Sequence, residues 1–155
     1  MIKFSVSALD KAPVKLSGVL EPEFLELDEN DPLQIADAIN YELCGSKVSG
    51  GVLVTGFCST AVCGICGRCL EPVTQKLECG IKLFFDLEES VEELDVSNDI
   101  REEILLASPM NLLCSDECAG LCRNCGANLN KSECQCDKNT PAGDFRWSAL
   151  DGLKL

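Results

Sequence analysis

The 155-residue chain contains no histidine. That removes histidine-containing catalytic triads, mixed histidine–cysteine zinc fingers and the commonest general base. Basic residues are scarce too: 13 Lys and Arg stand against 26 Asp and Glu, a formal charge of −13. Such a surface repels bulk nucleic acid and attracts basic partners. No apolar run approaches the roughly 20 residues needed to span a bilayer. The start, Met1-Ile2-Lys3-Phe4-Ser5, lacks the apolar block of a signal peptide, because Ser5, Ser7 and Asp10 interrupt it. The expected location is the cytoplasm, or an organelle lumen after loss of a leader. A phosphate-binding glycine loop and a Gly-x-Ser-x-Gly elbow are both missing. Carboxylates are plentiful but sit in charge-rich runs, with no apolar pocket to separate their pKa values. The expectation is a protein without catalytic activity.

What the chain has in abundance is cysteine, twelve in all. Six fall in the 23 residues 114–136, as Cys114-x-x-x-Cys118, Cys122-x-x-Cys125-Gly126 and Cys134-x-Cys136. A tight Cys-x-x-Cys-Gly turn presents two thiolates to one tetrahedral ion, and the glycine supplies the unusual backbone angles. Two sulfurs from the flanking pairs would close a four-sulfur zinc site, which leaves no position for a substrate and is therefore structural. Disulfides or idle buried thiols are the alternatives, and in a reducing compartment twelve cysteines fit metal ligands and core thiols better. Cys122 and Cys125 are the firmest ligands. Cys134 and Cys136 stand too close together to serve easily as two ligands of one ion, and Cys114 and Cys118 compete in the same way.

A further group is Cys58, Cys63, Cys66 and Cys69. Cys66-Gly-Arg-Cys69 reads as a hairpin tip and as half a zinc site in need of two partners. Six C-terminal cysteines plus these two are enough for two four-sulfur sites; one zinc is the simpler reading. As a redox pair, Cys66 and Cys69 would want a strand-to-helix context, whereas a strand follows, and acidic surroundings raise thiol pKa values.

The N-terminal two thirds read as strands. Ile2, Phe4, Val6 and Ala8 alternate with polar residues, as do Val14, Leu16, Gly18 and Leu20. Asp31-Pro32-x-Gln34 looks like a helix start, yet Ile35 to Leu43 alternates strictly and suits a strand. Residues 45–51 read as a hairpin turn. Residues 52–65 and 73–87 form the next two strands, with Val73, Leu77, Cys79, Ile81, Leu83, Phe85 and Leu87 on one face and Cys79 a core thiol. Two runs, 21–31 and 86–103, carry six and nine acids; the first reads as a solvated loop. In the second, Asp99-x-x-Glu102 suggests a capped helix that Pro109 stops. The fold expected is α+β, mainly antiparallel β, with long hairpins and one short helix. Its domains are a β part over 1–110 and a Cys-rich zinc-stapled segment, 111–155, packed on it.

Any nucleic-acid contact would fall in the last third, where Arg123, Lys131, Lys138 and Arg146 reduce the acidity. Phe145-Arg146-Trp147 could stack on unpaired bases, although anchoring the tail to the sheet is the simpler use of Phe145 and Trp147.

Taken together, these motifs resemble the YceD family, named for large ribosomal RNA subunit accumulation. The family pattern is met by Cys66-Gly-Arg-Cys69-Leu-Glu-Pro72 and by Leu106-Ala-Ser-Pro109. It is met again by the run from Cys114 through Cys122, Cys125-Gly126 and Leu129-Asn130, and by Cys134-x-Cys136. The tail matches at Asp144-Phe145-Arg146-Trp147 with Leu150 and Leu153, Phe145 standing where proline is usual. The resemblance implies a bacterial or plastid protein, in the cytoplasm or stroma. It would support accumulation of the large-subunit RNA through precursor processing or subunit assembly. Expected partners are large-subunit precursor particles, ribosomal RNA or basic ribosomal proteins, with no membrane and no small-molecule substrate. The resemblance also favours a strand at 34–43.

Overall fold

The computed structural model describes residues 1–28, 30–86 and 91–136. In chain order these form β1 (Lys3–Ser5), α1 (Val6–Leu9), β2 (Val14–Leu20) and a 3-10 turn (Pro22–Leu25). There follow β3 (Leu33–Ile35), β4 (Ile39–Val48), β5 (Gly51–Ile65), β6 (Pro72–Asp86), β7 (Glu93–Asp95) and α2 (Ser97–Ala107). The architecture is mainly antiparallel sheet, with α2 the one helix longer than a single turn among the described residues. None of their helices is long and apolar enough to cross a membrane.

Strand β5 is the centre of the sheet. Strand β6 pairs with it along its full length, from Gly51↔Asp86 to Ile65↔Pro72. On its other edge lie β4, from Val48↔Gly51 to Asn40↔Ser59, and then β3, from Ile35↔Val62 to Leu33↔Gly64. Strand β2 flanks β4. The segment expected as one strand over 34–43 is therefore two strands. Between Ile35 and Asn40 the chain makes five steps while β5 makes three, which is a bulge of two extra residues. Its polar groups are satisfied: Ala36 N–H donates to Ala61 O (2.7 Å) and Thr60 Oγ1 to Asp37 O (2.8 Å).

Alternation decides which face is buried. Val52, Val54, Cys58 and Val62 of β5, Leu77, Cys79 and Ile81 of β6, and Ile39 and Leu43 of β4 all point to one side. On that side α2 lays down Ile100 and Ile104, four residues apart and so on one helical stripe. Cys79 Sγ donates to Glu103 O at 3.4 Å, and Arg101 Nε to Leu25 O at 3.0 Å, tying α2 to sheet and 3-10 turn. The Arg101 guanidinium also meets Glu26, so the two acidic runs converge around α2.

The N-terminus departs from the expected strand. Only Lys3–Ser5 is extended, pairing with β7, and Val6–Leu9 coils into a helical turn. That turn brings Leu9 and Phe4 together over Gly45, where a Cβ would lie 2.8 Å from Phe4 Cε1. Gly45 therefore belongs to β4, and the hairpin turn narrows to Ser49-Gly50, with Gly50 at φ +91°. Helix α2 starts at Ser97, two residues before the expected cap, and has no side-chain cap bond; Asp95 Oδ1 accepts from Ser97 N–H just ahead of it.

Candidate metal centres

The β5–β6 hairpin ends in a turn whose backbone is repeated 56 residues later. In the first copy, Cys66 N–H donates to Glu71 O (2.8 Å) and Leu70 N–H to Cys66 O (3.0 Å). In the second, Cys122 N–H donates to Ala127 O (2.8 Å) and Gly126 N–H to Cys122 O (2.8 Å). The residue after the second cysteine is left-handed in both, Leu70 at φ +58° and Gly126 at φ +74°. Each turn aims two backbone N–H groups at its first sulfur. Those of Cys69 and Arg68 lower the Cys66 thiol to about 6, and those of Cys125 and Asn124 lower Cys122 to about 6.

Each turn meets a second pair of cysteines. Cys114 and Cys118 join Cys66 and Cys69, and Cys134 and Cys136 join Cys122 and Cys125, the four sulfurs of each set lying within 4.8 Å of one another. The six C-terminal cysteines are thus divided between two sets. Cys134 and Cys136 both present sulfur to one set, as do Cys114 and Cys118 to the other, so close spacing does not make them compete.

The donor chemistry fits a tetrahedral ion. Four Zn–S bonds of about 2.3 Å place sulfurs about 3.8 Å apart. Cys66 and Cys118 Sγ are 3.8 Å apart, Cys69 and Cys114 Sγ 3.6 Å, and all the described cysteines are free. A disulfide needs about 2.05 Å. Ionisation points the same way. Beside the favoured thiolates, contact with Cys118 and Cys69 pushes Cys114 up to about 12, and the Cys125 sulfur pushes Cys136 up to about 12. Four thiolates cannot share so small a space until a cation offsets them.

The two sets differ in setting. The inner one is the more enclosed, with Cys66, Cys69 and Cys118 at 0%, 4% and 5% exposure, Val73 and Leu113 packed against them, and Cys114 alone exposed. Gly67 N–H donates to Leu112 O (2.9 Å), Arg68 Nη1 to Asp116 O (2.9 Å) and Leu121 N–H to Arg68 O (3.1 Å), binding 112–121 to the hairpin tip. In the outer set, Cys125 is exposed and the other three are half-buried. Asn130 reaches the inner set at Cys118 Sγ and holds Asn128 beside it; cysteine spacing carries no signal for either, and Asn130 stands out in the sequence through the Leu129-Asn130 pair of the family pattern.

Cys58 and Cys79 face each other in the core, where burial pushes Cys58 up to about 12 and raises Cys79. They stand apart from both sets, as do the half-buried Cys44 and Cys63. Lys138 and the tail motif Asp144 to Trp147, with Leu150 and Leu153, lie outside the described residues.

Residues 86–154 match the family model described as large ribosomal RNA subunit accumulation protein YceD. This part of the chain is YceD-like. The matched stretch holds six of the eight clustered cysteines. Two plant proteins called large ribosomal RNA subunit accumulation protein YCED homolog 1, chloroplastic, are similar to it. The one from Arabidopsis thaliana is 42% identical over 71 residues, 42% of this chain and 22% of that protein. The one from Zea mays is 42% identical over 53 residues, 34% of this chain and 18% of that protein. An uncharacterized protein of Mycobacterium tuberculosis is 29% identical over 106 residues, 59% of this chain and 51% of that protein. The aligned region therefore spans about half of the mycobacterial relative and less than a quarter of the plant ones. No solved structure matches the chain.

Proposed function

We propose that this YceD-like chain is a non-catalytic factor that supports accumulation of the large-subunit ribosomal RNA, through precursor processing or subunit assembly. Each four-cysteine set holds one structural zinc ion. When bound, zinc supplies the positive charge that lets four thiolates coexist, and a closed all-sulfur set offers no position to a substrate. The observation that carries the reading is that the YceD-like stretch supplies the whole outer sulfur set and half of the inner one.

The acidic surface around α2 fits basic ribosomal proteins as partners, alongside precursor particles and their RNA. The site of action is where such particles form, the bacterial cytoplasm or the plastid stroma, in line with the chloroplastic relatives. Depletion followed by gradient separation of ribosomal particles tests this: large-subunit RNA falls relative to small-subunit RNA. Normal large-subunit RNA, with unrelated proteins captured instead, would favour a zinc-stabilised interaction module with no ribosomal role.

A further inference from the structure

The polar groups between the two cysteine sets form one continuous chain of hydrogen bonds. Asn130 Nδ2 donates to Cys118 Sγ (3.3 Å), a sulfur of the inner set, and to Asn128 Oδ1 (2.9 Å). Asn130 Oδ1 accepts from Ala119 N–H at 2.8 Å. Asn128 Nδ2 donates to Glu71 Oε1 (3.3 Å), the carboxylate that Lys131 Nζ also reaches at 2.6 Å. Glu71 belongs to the inner turn, since its carbonyl receives Cys66 N–H. Leu129 N–H donates to Gly120 O (2.9 Å), and Leu121 and Asn128 form a bridge.

Apart from the Asn130–Asn128 bond, these contacts join residues 128–131 to the inner set and to 118–121, which lead out of it. Residues 127–131 are also the arm between the two halves of the outer set, Cys122/Cys125 and Cys134/Cys136. The outer sulfurs are therefore positioned by a strip of chain that rests on the inner set. Half of the inner set is independent of that strip, because Cys66 and Cys69 are carried by the β5–β6 hairpin itself, whereas Cys118 takes a hydrogen bond from it.

We infer that the two metal sets load in order and are coupled: the inner ion builds the platform on which the outer set assembles, and Asn130 is the positioning residue that transmits the coupling. The amide reports on the inner site directly, since an N–H···S bond stabilises the Cys118 thiolate that binds the ion. It reports on the outer site by holding Asn128 and, through the backbone at 128–131, the approach to Cys134. The outer set is the less buried and exchanges its ion first, and the inner set, with three of its four sulfurs buried, retains its own. By linkage, an occupied outer set also tightens the inner one by the same factor.

This rests on metal binding by both sets, and the test separates the two ideas. The purified chain is titrated with Co²⁺, following the sulfur-to-cobalt charge-transfer band against a competing chelator, with native mass spectrometry counting ions. A chain that binds no metal removes the reading above as well. Binding of two ions with equal, independent constants leaves that reading intact and overturns this inference.

For the wild type we expect two ions and stepwise removal, the first lost being the one absent from Cys125→Ser. Cys69→Ser, which breaks the inner set, should weaken the outer ion roughly 10-fold or more, the size of other outer-sphere effects on metal affinity. Retention of the wild-type outer constant in that variant would refute the platform. Asn130→Ala keeps all eight sulfurs and guards against a misfolded Cys69→Ser. It should still bind two ions, with the inner constant weakened about 10- to 100-fold and the filling of one set no longer affecting the other. If both constants and their coupling are unchanged in Asn130→Ala, the assignment fails.

Discussion

The two cysteine turns share one backbone and differ in the residue at its left-handed position, which sets up opposite substitutions. Gly126 at φ +74° has no heavy atom within 4 Å of where a Cβ would stand, so Gly126→Ala meets no clash and only the conformational cost applies. That cost is roughly 1–2 kcal/mol for a non-glycine residue. It is offset by about 0.4–1 kcal/mol, because alanine also restricts the unfolded chain. The net loss of about 0–1.6 kcal/mol, centred near 0.8, corresponds to an outer ion weaker by roughly 4-fold and by no more than about 15-fold. Leu70 at φ +58° is the reverse case. Its side chain is 63% exposed, so Leu70→Gly gives up little packing while relieving a similar strain. It should tighten the inner ion by a comparable factor. Chelator competition on each variant measures both constants, and thermal unfolding of the metal-loaded chain gives an independent check. A tighter outer ion in Gly126→Ala, or a weaker inner ion in Leu70→Gly, would refute the shared-backbone argument.

Alkylation of the metal-loaded chain, mapped by mass spectrometry, should modify Cys44 and Cys63 first and the eight clustered cysteines only after chelation. Cys58 and Cys79 should react only on global unfolding, since burial keeps their thiols protonated. Metal affinity should fall as pH falls, because the bound state requires thiolates. Near neutrality the metal-free chain already holds Cys66 and Cys122 ionised while Cys114 and Cys136 are protonated and Cys69 is raised, so binding expels protons from Cys69, Cys114 and Cys136 rather than from Cys66 and Cys122. Below about 6 Cys66 and Cys122 are protonated too, and a plot of affinity against pH should steepen there. Phe4→Ala should cost about 3–5 kcal/mol in denaturant unfolding, as for other buried aromatics, because Phe4 is fully enclosed between β7 and Gly45. Phe84→Ala on the open face should stay within about 0.5 kcal/mol; equal effects would contradict the assignment of faces.

How much of this was readable in advance follows from the reach of each signal. The limits of β5 and β6 were legible to within a residue, because alternation over 15 residues has no competing period. The same rule hid the bulge at 36–38. Two extra residues leave odd and even positions on their original faces, so the apolar pattern from Ile35 to Leu43 runs on unbroken. At the N-terminus, a pattern of four apolar positions was too short to distinguish a strand from a strand followed by a helical turn. The Cys-x-x-Cys turns were legible because their geometry is local. Which pairs complete them was not, since Cys66 meets Cys118 across 52 positions, and sequence spacing carries nothing about that distance.

The inner set also explains why a sheet with a core of its own depends on cysteine at its far end. The main core runs from Ile2 to Leu112, and beyond it the hairpin tip has a separate cluster made of Cys66, Cys69 and Cys118, with Val73 and Leu113 beside it. So few carbon groups cannot offset the entropy of ordering both the tip and 112–121. The backbone N–H groups that favour a thiolate at Cys66 make further thiolates beside it costly. Metal binding and ordering of this end are then one event, and stripping the metal should loosen it without melting the sheet. Hydrogen exchange after chelation should show lost protection at Gly67, Leu70, Leu121 and Gly126, whose N–H groups bond across the turns. Val54 and Ile81, buried mid-strand, should keep theirs. Uniform loss across both regions would mean that the metal sets stabilise the whole sheet; no loss at the four tip amides would mean that the turns fold without metal.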